Sequence, residues 1–138
     1  MNSRSQYYNR MFFVGAIWNW IVALSLLFGA DAMRSLTGTT MPIDPLGKQL
    51  FSMCVIVFGL GYYIVSRDVS RNEGIVMLGI VGKLGVVAVF FQHAVAGDVP
   101  LVLLAPAMVD LVFAGLFAEF LWRGREPLSP ALQTSTPQ

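Results

Sequence analysis

Four apolar stretches, each about as long as the hydrocarbon core of a bilayer is thick, take up most of this chain: residues 11–30, 48–66, 74–93 and 100–122. A transmembrane helix needs about 20 largely apolar residues, and little of the 138-residue chain remains once four such segments are drawn. In lipid the backbone must satisfy its own N–H and C=O groups, so a lone apolar stretch of this length folds as a helix. The expected fold is all-α, an integral membrane four-helix bundle. Composition agrees, with 56% hydrophobic and only 12% charged residues, where soluble domains carry about 25% charged. Residues 1–10 read as a cytoplasmic N-terminal segment. Residues 123–138, proline-rich and otherwise mostly small or polar, read as a disordered cytoplasmic tail.

The breaks carry helix punctuation. Asp44 before Pro45 makes an N-cap and first-turn pair for the second helix, and Ser70 with Glu73 has capping-box spacing for the third. Asp98, two residues before Pro100, is placed to cap the fourth. Short connections make sequential helices antiparallel neighbours. Arg4, Arg10, Arg67, Arg71, Arg123 and Arg125 all fall on one side, against Arg34 and Lys48 on the other. Basic short loops stay cytoplasmic, so the expected orientation is N-in/C-in, with Thr37 to Thr40 and Asp98 outside. Tyr7, Tyr8, Tyr62, Tyr63 and Trp122 lie near the inner boundary, where an aromatic belt sits. The sequence Ala30-Asp31-Ala32 resembles a signal-peptide cleavage site, but the apolar run before it exceeds the usual 7 to 15 residues or so. The first helix is therefore kept.

The informative residues are those that do not belong in hydrocarbon. Asn19, Lys83 and Asp110 lie on the first, third and fourth segments, each roughly 12–17 Å from the inner boundary at 1.5 Å per residue. They share one depth. A lone charge there costs at least about 2.5–3.5 kcal/mol, so Lys83 and Asp110 are expected to face the interior and satisfy each other. Small residues flank all three: Gly15, Ala16 and Ala23; Gly79; Ala107, Ala114 and Ala118. Tyr62, about a turn inward of the midplane, can aim its hydroxyl at the cluster. Gly59, Gly61, Gly79, Gly82 and Gly85 crowd the same depth, removing side-chain volume either for a cavity or for close helix contact.

Two uses of the cluster stand side by side: a structural ion pair that fixes packing register, and a ligand-binding site or relay. His93, the only histidine, stands at the outer end of the third segment with Asp98 nearby, as a solvated cap or an outer gate. Glu119 and Arg123 have the order of a helical ion pair. No metal site is expected, since His, Cys, Asp and Glu do not cluster and the seven methionines are scattered. Cys54 alone makes no disulfide. No cofactor motif or nucleophilic triad is present, so no catalytic residue is assigned. A net charge of +1 without a basic stripe points away from nucleic acid.

Trp18-Asn19, Gly59-Leu60-Gly61-Tyr62, the Arg67-Asp68 loop with Arg71, Gly82-Lys83-Leu84 and Asp110 resemble the DoxX-like small four-helix proteins of bacterial inner membranes. The resemblance spans about residues 10 to 122, with Val109 where family members often carry Asn. It implies a bundle with the asparagine, lysine and aspartate facing inward; some relatives associate with quinone-linked or sulfur-oxidising systems. The expected function is binding or transport of a small amphiphilic molecule or anion at Asn19, Tyr62, Lys83 and Asp110 in the bacterial inner membrane. The alternative is a non-catalytic accessory subunit of a larger membrane complex, quinone-linked or otherwise, with the lipid bilayer, that complex or a second copy as partner.

Overall fold

The computed structural model describes residues 3–29, 32, 35 and 44–124. Within them run α1 (Ser3–Phe28), α2 (Pro45–Arg67), α3 (Glu73–Ala96), a single 3₁₀ turn (Leu101–Leu103) and α4 (Leu104–Gly124). Four helices are each long and apolar enough to cross a membrane, the fourth counted from Leu101 through the 3₁₀ turn. Their outward surface is apolar as well: Phe28, Leu60, Val81 and Trp122 are all more than half exposed. Such a surface suits lipid and would be costly in water. The loop at Thr37 to Thr40, expected to face outward, the Ala30-Asp31 step and the tail from residue 125 lie outside the described residues.

Helix α1 starts eight residues earlier than hydropathy alone suggests. At 26 residues it is about 39 Å long, more than the ~30 Å hydrocarbon core. Its first turns therefore carry the polar residues Arg4, Gln6, Asn9 and Arg10 without breaking the helix. Tyr8 is buried there, edge-on to Phe120 at 5.0 Å between ring centroids, and an Arg4 guanidinium nitrogen donates to the Arg123 carbonyl at 3.0 Å. These contacts bring the start of α1 and the end of α4 to the same end of the bundle. Arg123 and Gly124 are helical, so the last helix runs past the expected tail boundary.

Asp44 caps α2 as expected: its carboxylate accepts from Gly47 N–H at 2.8 Å, with Pro45 in the first turn. The other two expected caps are not made. The Ser70 hydroxyl and N–H both donate to Asp68 Oδ1, at 2.5 and 3.0 Å, closing an Asx turn before α3 begins. Those two bonds hold the Asp68 carboxyl below its usual range. The capping position of α3 falls to Asn72, which makes no side-chain cap, because its amide donates instead to Asp68 O at 2.7 Å. Asp98 is taken by His93, and the chain enters α4 through Pro100 and the 3₁₀ turn. Gly97 ends α3 with φ 81°, a left-handed conformation that favours glycine, and Asp98 N–H closes back onto His93 O at 2.9 Å.

Packing divides the bundle into two hairpins, α1 against α2 and α3 against α4, with a looser seam between them. The hairpins close on each other in only one half. There Phe12 and Phe117 stack at 4.6 Å, Tyr62 meets Phe117 edge-on at 4.9 Å, and Met11, Val65, Val76 and Phe120 fill the gaps. This half holds the basic helix ends. In a bilayer, tails are as apolar as the side chains, so dispersion and close fit rather than water expulsion hold such a core. Beyond it, towards the other end, the seam stays open.

Candidate functional site

The polar residues gather where the packed half meets the open half. Lys83 Nζ donates to Asp110 Oδ1 at 2.5 Å and to Asn19 Oδ1 at 3.2 Å, so three helices converge on one ammonium group. The Asn19 amide nitrogen donates in turn to Val55 O on α2 at 3.4 Å. One residue on, the Trp20 indole N–H donates to Ile56 O at 3.3 Å. Adjacent α1 side chains thus latch onto adjacent α2 carbonyls. Lys83 also lies 5.3 Å from the Tyr62 ring centroid and 5.4 Å from that of Phe113, within cation–π range of both.

Tyr62 joins this cluster differently from the sequence expectation. No hydrogen bond runs from its hydroxyl to the polar groups; the ring packs beside Lys83, and the ring edge and hydroxyl cover Gly79. A Cβ on Gly79 would fall 2.6 Å from Tyr62 Cε1 and 2.9 Å from its hydroxyl oxygen. Three of the other four glycines at this level work alike. Gly59 receives the Trp20 indole, Gly82 the Phe58 ring and Gly61 the Ile75 side chain, while Gly85 has nothing within 4 Å of where a Cβ would be. Most of these glycines are notches for side chains of a neighbouring helix, and of the five only Gly82 also lines the cavity described below. Among the small residues beside Asp110, Ala107 and Ala114 are buried, whereas Ala118 faces outward.

Space comes from the seam. A cavity of about 270 Å³ lies between the hairpins, lined by Asn19, Tyr62, Lys83 and Asp110 at its inner end. Its walls are Trp18, Val22, Leu26, Phe51, Val55, Phe58, Val86, Phe90, Leu103 and Ala107, with Ser25 and Cys54 the remaining wall groups that carry a heteroatom in the side chain. Leu26, Phe51, Phe90 and Leu103 belong to the helix ends opposite Arg4, Arg10, Arg67, Arg71 and Arg123, so the cavity runs from the polar cluster towards that end. Apolar walls with a few convergent polar groups are the usual make-up of a small-molecule site.

His93 is not part of this arrangement. It is half exposed and pairs through Nδ1 with Asp98 Oδ2 at 2.8 Å, away from the cavity lining. Its position ties the end of α3 to the following turn, one helical turn beyond Phe90 of the cavity wall. Glu119 and Arg123 form their helical pair at 3.3 Å on the outer face of α4. Sequence reasoning missed the Val55 and Ile56 carbonyls, Trp18 and Phe113; the first two are backbone groups and carry no sequence signal. Trp18 was legible as the neighbour of Asn19, and Phe113 as one helical turn from Asp110. The chain matches no protein-family model, no curated protein and no solved structure.

Proposed function

We propose that this protein binds, and passes along the seam between its hairpins, a small amphiphilic molecule whose polar end reaches the Asn19, Lys83 and Asp110 cluster. One observation carries the reading: an apolar cavity of about 270 Å³ ends on the buried charge pair of the bundle. A purely structural ion pair needs no such approach, and interiors are otherwise filled to crystal-like density. An engineered apolar cavity of roughly 150 Å³ takes up benzene, so this one has room for a bicyclic molecule or a short chain.

The proposal includes a setting. Arg4, Arg10, Arg67, Arg71 and Arg123 share one end of the bundle, which supports an N-in/C-in orientation in a bacterial inner membrane. The cavity then opens to the outer leaflet. Kinship with the DoxX-like proteins, resting on the motifs around Asn19, Tyr62, Lys83 and Asp110, belongs to the same reading.

The test is occupancy. Native mass spectrometry of protein released from mild detergent should find a retained small molecule on the wild type and none on Ala107→Leu, whose added side chain occupies the cavity wall. Ala107→Leu protein should keep its helical circular dichroism and thermal midpoint. Wild-type protein that carries nothing from its membrane would count against the proposal.

A further inference from the structure

The polar end of the cavity is not evenly available. Lys83 is 4% exposed; two oxygens accept from its ammonium, and two rings flank it. Asn19 is committed at both ends of its amide, to Lys83 and to Val55 O. Tyr62 is 1% exposed. Asp110 is the exception: its side chain is 20% exposed, lines the cavity, and has no hydrogen-bond partner besides Lys83 among the described residues. A carboxylate offers about four lone-pair sites, and a single bond to Lys83 leaves most of them unused. A molecule arriving down the cavity therefore meets an acceptor, with the cation behind it.

Charge narrows the choice further. The Lys83–Asp110 pair is already neutral, and the walls are apolar. An anionic headgroup would meet the carboxylate first, and either sign of added charge would sit unpaired in low dielectric. We propose, resting on the cavity reading above, that the site selects an uncharged amphiphile whose polar end is a hydrogen-bond donor, in the simplest case a hydroxyl, received by Asp110. This excludes the anion that Lys83 alone would suggest.

Four probes on one bicyclic body separate the possibilities: 1-naphthol (donor), 1-methoxynaphthalene (acceptor only), 1-naphthoate (anion) and 1-naphthylmethylammonium (cation). Each is measured by equilibrium dialysis against the full-length protein in nanodiscs, with uptake by empty nanodiscs subtracted. A hydrogen bond to a charged acceptor corresponds to at least about tenfold in affinity. 1-Naphthol should exceed the other three by that factor. In Lys83→Met/Asp110→Leu protein, which keeps the site neutral, the preference should fall below about twofold while ring binding persists. Equal binding of naphthol and its methyl ether to the wild type would overturn the donor selectivity and leave the cavity reading standing. Tighter binding of naphthoate or the ammonium probe would overturn it in favour of a charged ligand. Absence of binding by all four would remove the cavity reading and the selectivity together. The wild-type comparison decides the matter even if the double variant does not fold.

Discussion

Replacing Lys83 and Asp110 singly and together gives the sharpest test of how the bundle is held at its centre. Removing one member of a buried pair typically costs about 3–5 kcal/mol, because the other charge is left without a partner. The structure ranks the two single changes. Asp110→Leu strands an ammonium that is 4% exposed with Asn19 as its one remaining acceptor, which places the loss near the upper end, about 5 kcal/mol. Lys83→Met strands a carboxylate that opens on the cavity and can take up water there, so the loss belongs near about 3 kcal/mol. Lys83→Met/Asp110→Leu removes both charges and leaves only the Asn19 oxygen unpartnered, a cost of about 1–3 kcal/mol. The double variant should thus be more stable than Asp110→Leu alone by at least about 2 kcal/mol, and the double loss should fall short of the two single losses together by about 5–7 kcal/mol. Equilibrium unfolding in mixed micelles with rising mole fraction of dodecyl sulfate, followed by circular dichroism and tryptophan fluorescence, measures all four proteins. Additivity within about 0.5 kcal/mol would show that the residues act independently. A larger loss for Lys83→Met than for Asp110→Leu would refute the exposure argument even if the coupling were found.

The glycine notches make a paired prediction: Gly79→Ala forces a Cβ to 2.6 Å from Tyr62 Cε1 and should destabilise the bundle by about 1–3 kcal/mol, whereas Gly85→Ala, with open space around it, should be near neutral in the same unfolding assay. Orientation is checked by single cysteines in a Cys54→Ala background: Thr39→Cys should react with a membrane-impermeant maleimide from outside intact cells and Asn72→Cys only after lysis. Labelling of Asn72→Cys in intact cells would reverse the orientation.

Depth was legible in the sequence, and azimuth was not. The edges of each apolar run fix how far Asn19, Lys83 and Asp110 lie from the helix ends, and a 1.5 Å rise per residue then puts them at one level. Their mutual bonding follows from the cost of leaving a charge in hydrocarbon. How each helix turns about its own axis depends on which side chain fills which notch, and a string of residues does not state that Trp20 seats on Gly59 or Tyr62 on Gly79. Hence the glycines left cavity and contact open where most of them supply contact, and Tyr62 presents a ring where a hydroxyl was expected. The missed caps have a local cause. Ser70 had two ways to bond, and the Asx turn at Asp68 took it before the helix could; Asp98 had His93 within 2.8 Å. The early start of α1 escaped because hydropathy ends where the polar first turns begin, although Tyr8 and Arg4 find partners on α4.

The division of the polar network between the hairpins bears on how the chain can be made. Lys83 and Asp110 are 27 residues apart and belong to one hairpin; the amide of Asn19 bonds to Val55 O within the other. A translocation machine that releases helices in pairs would hand each pair to the lipid with its costly groups already answered from within. Among the described residues, the bond from Lys83 to Asn19 is the only hydrogen bond of the buried polar cluster that crosses the seam. It can therefore form last, as the step that brings two separately inserted halves into register.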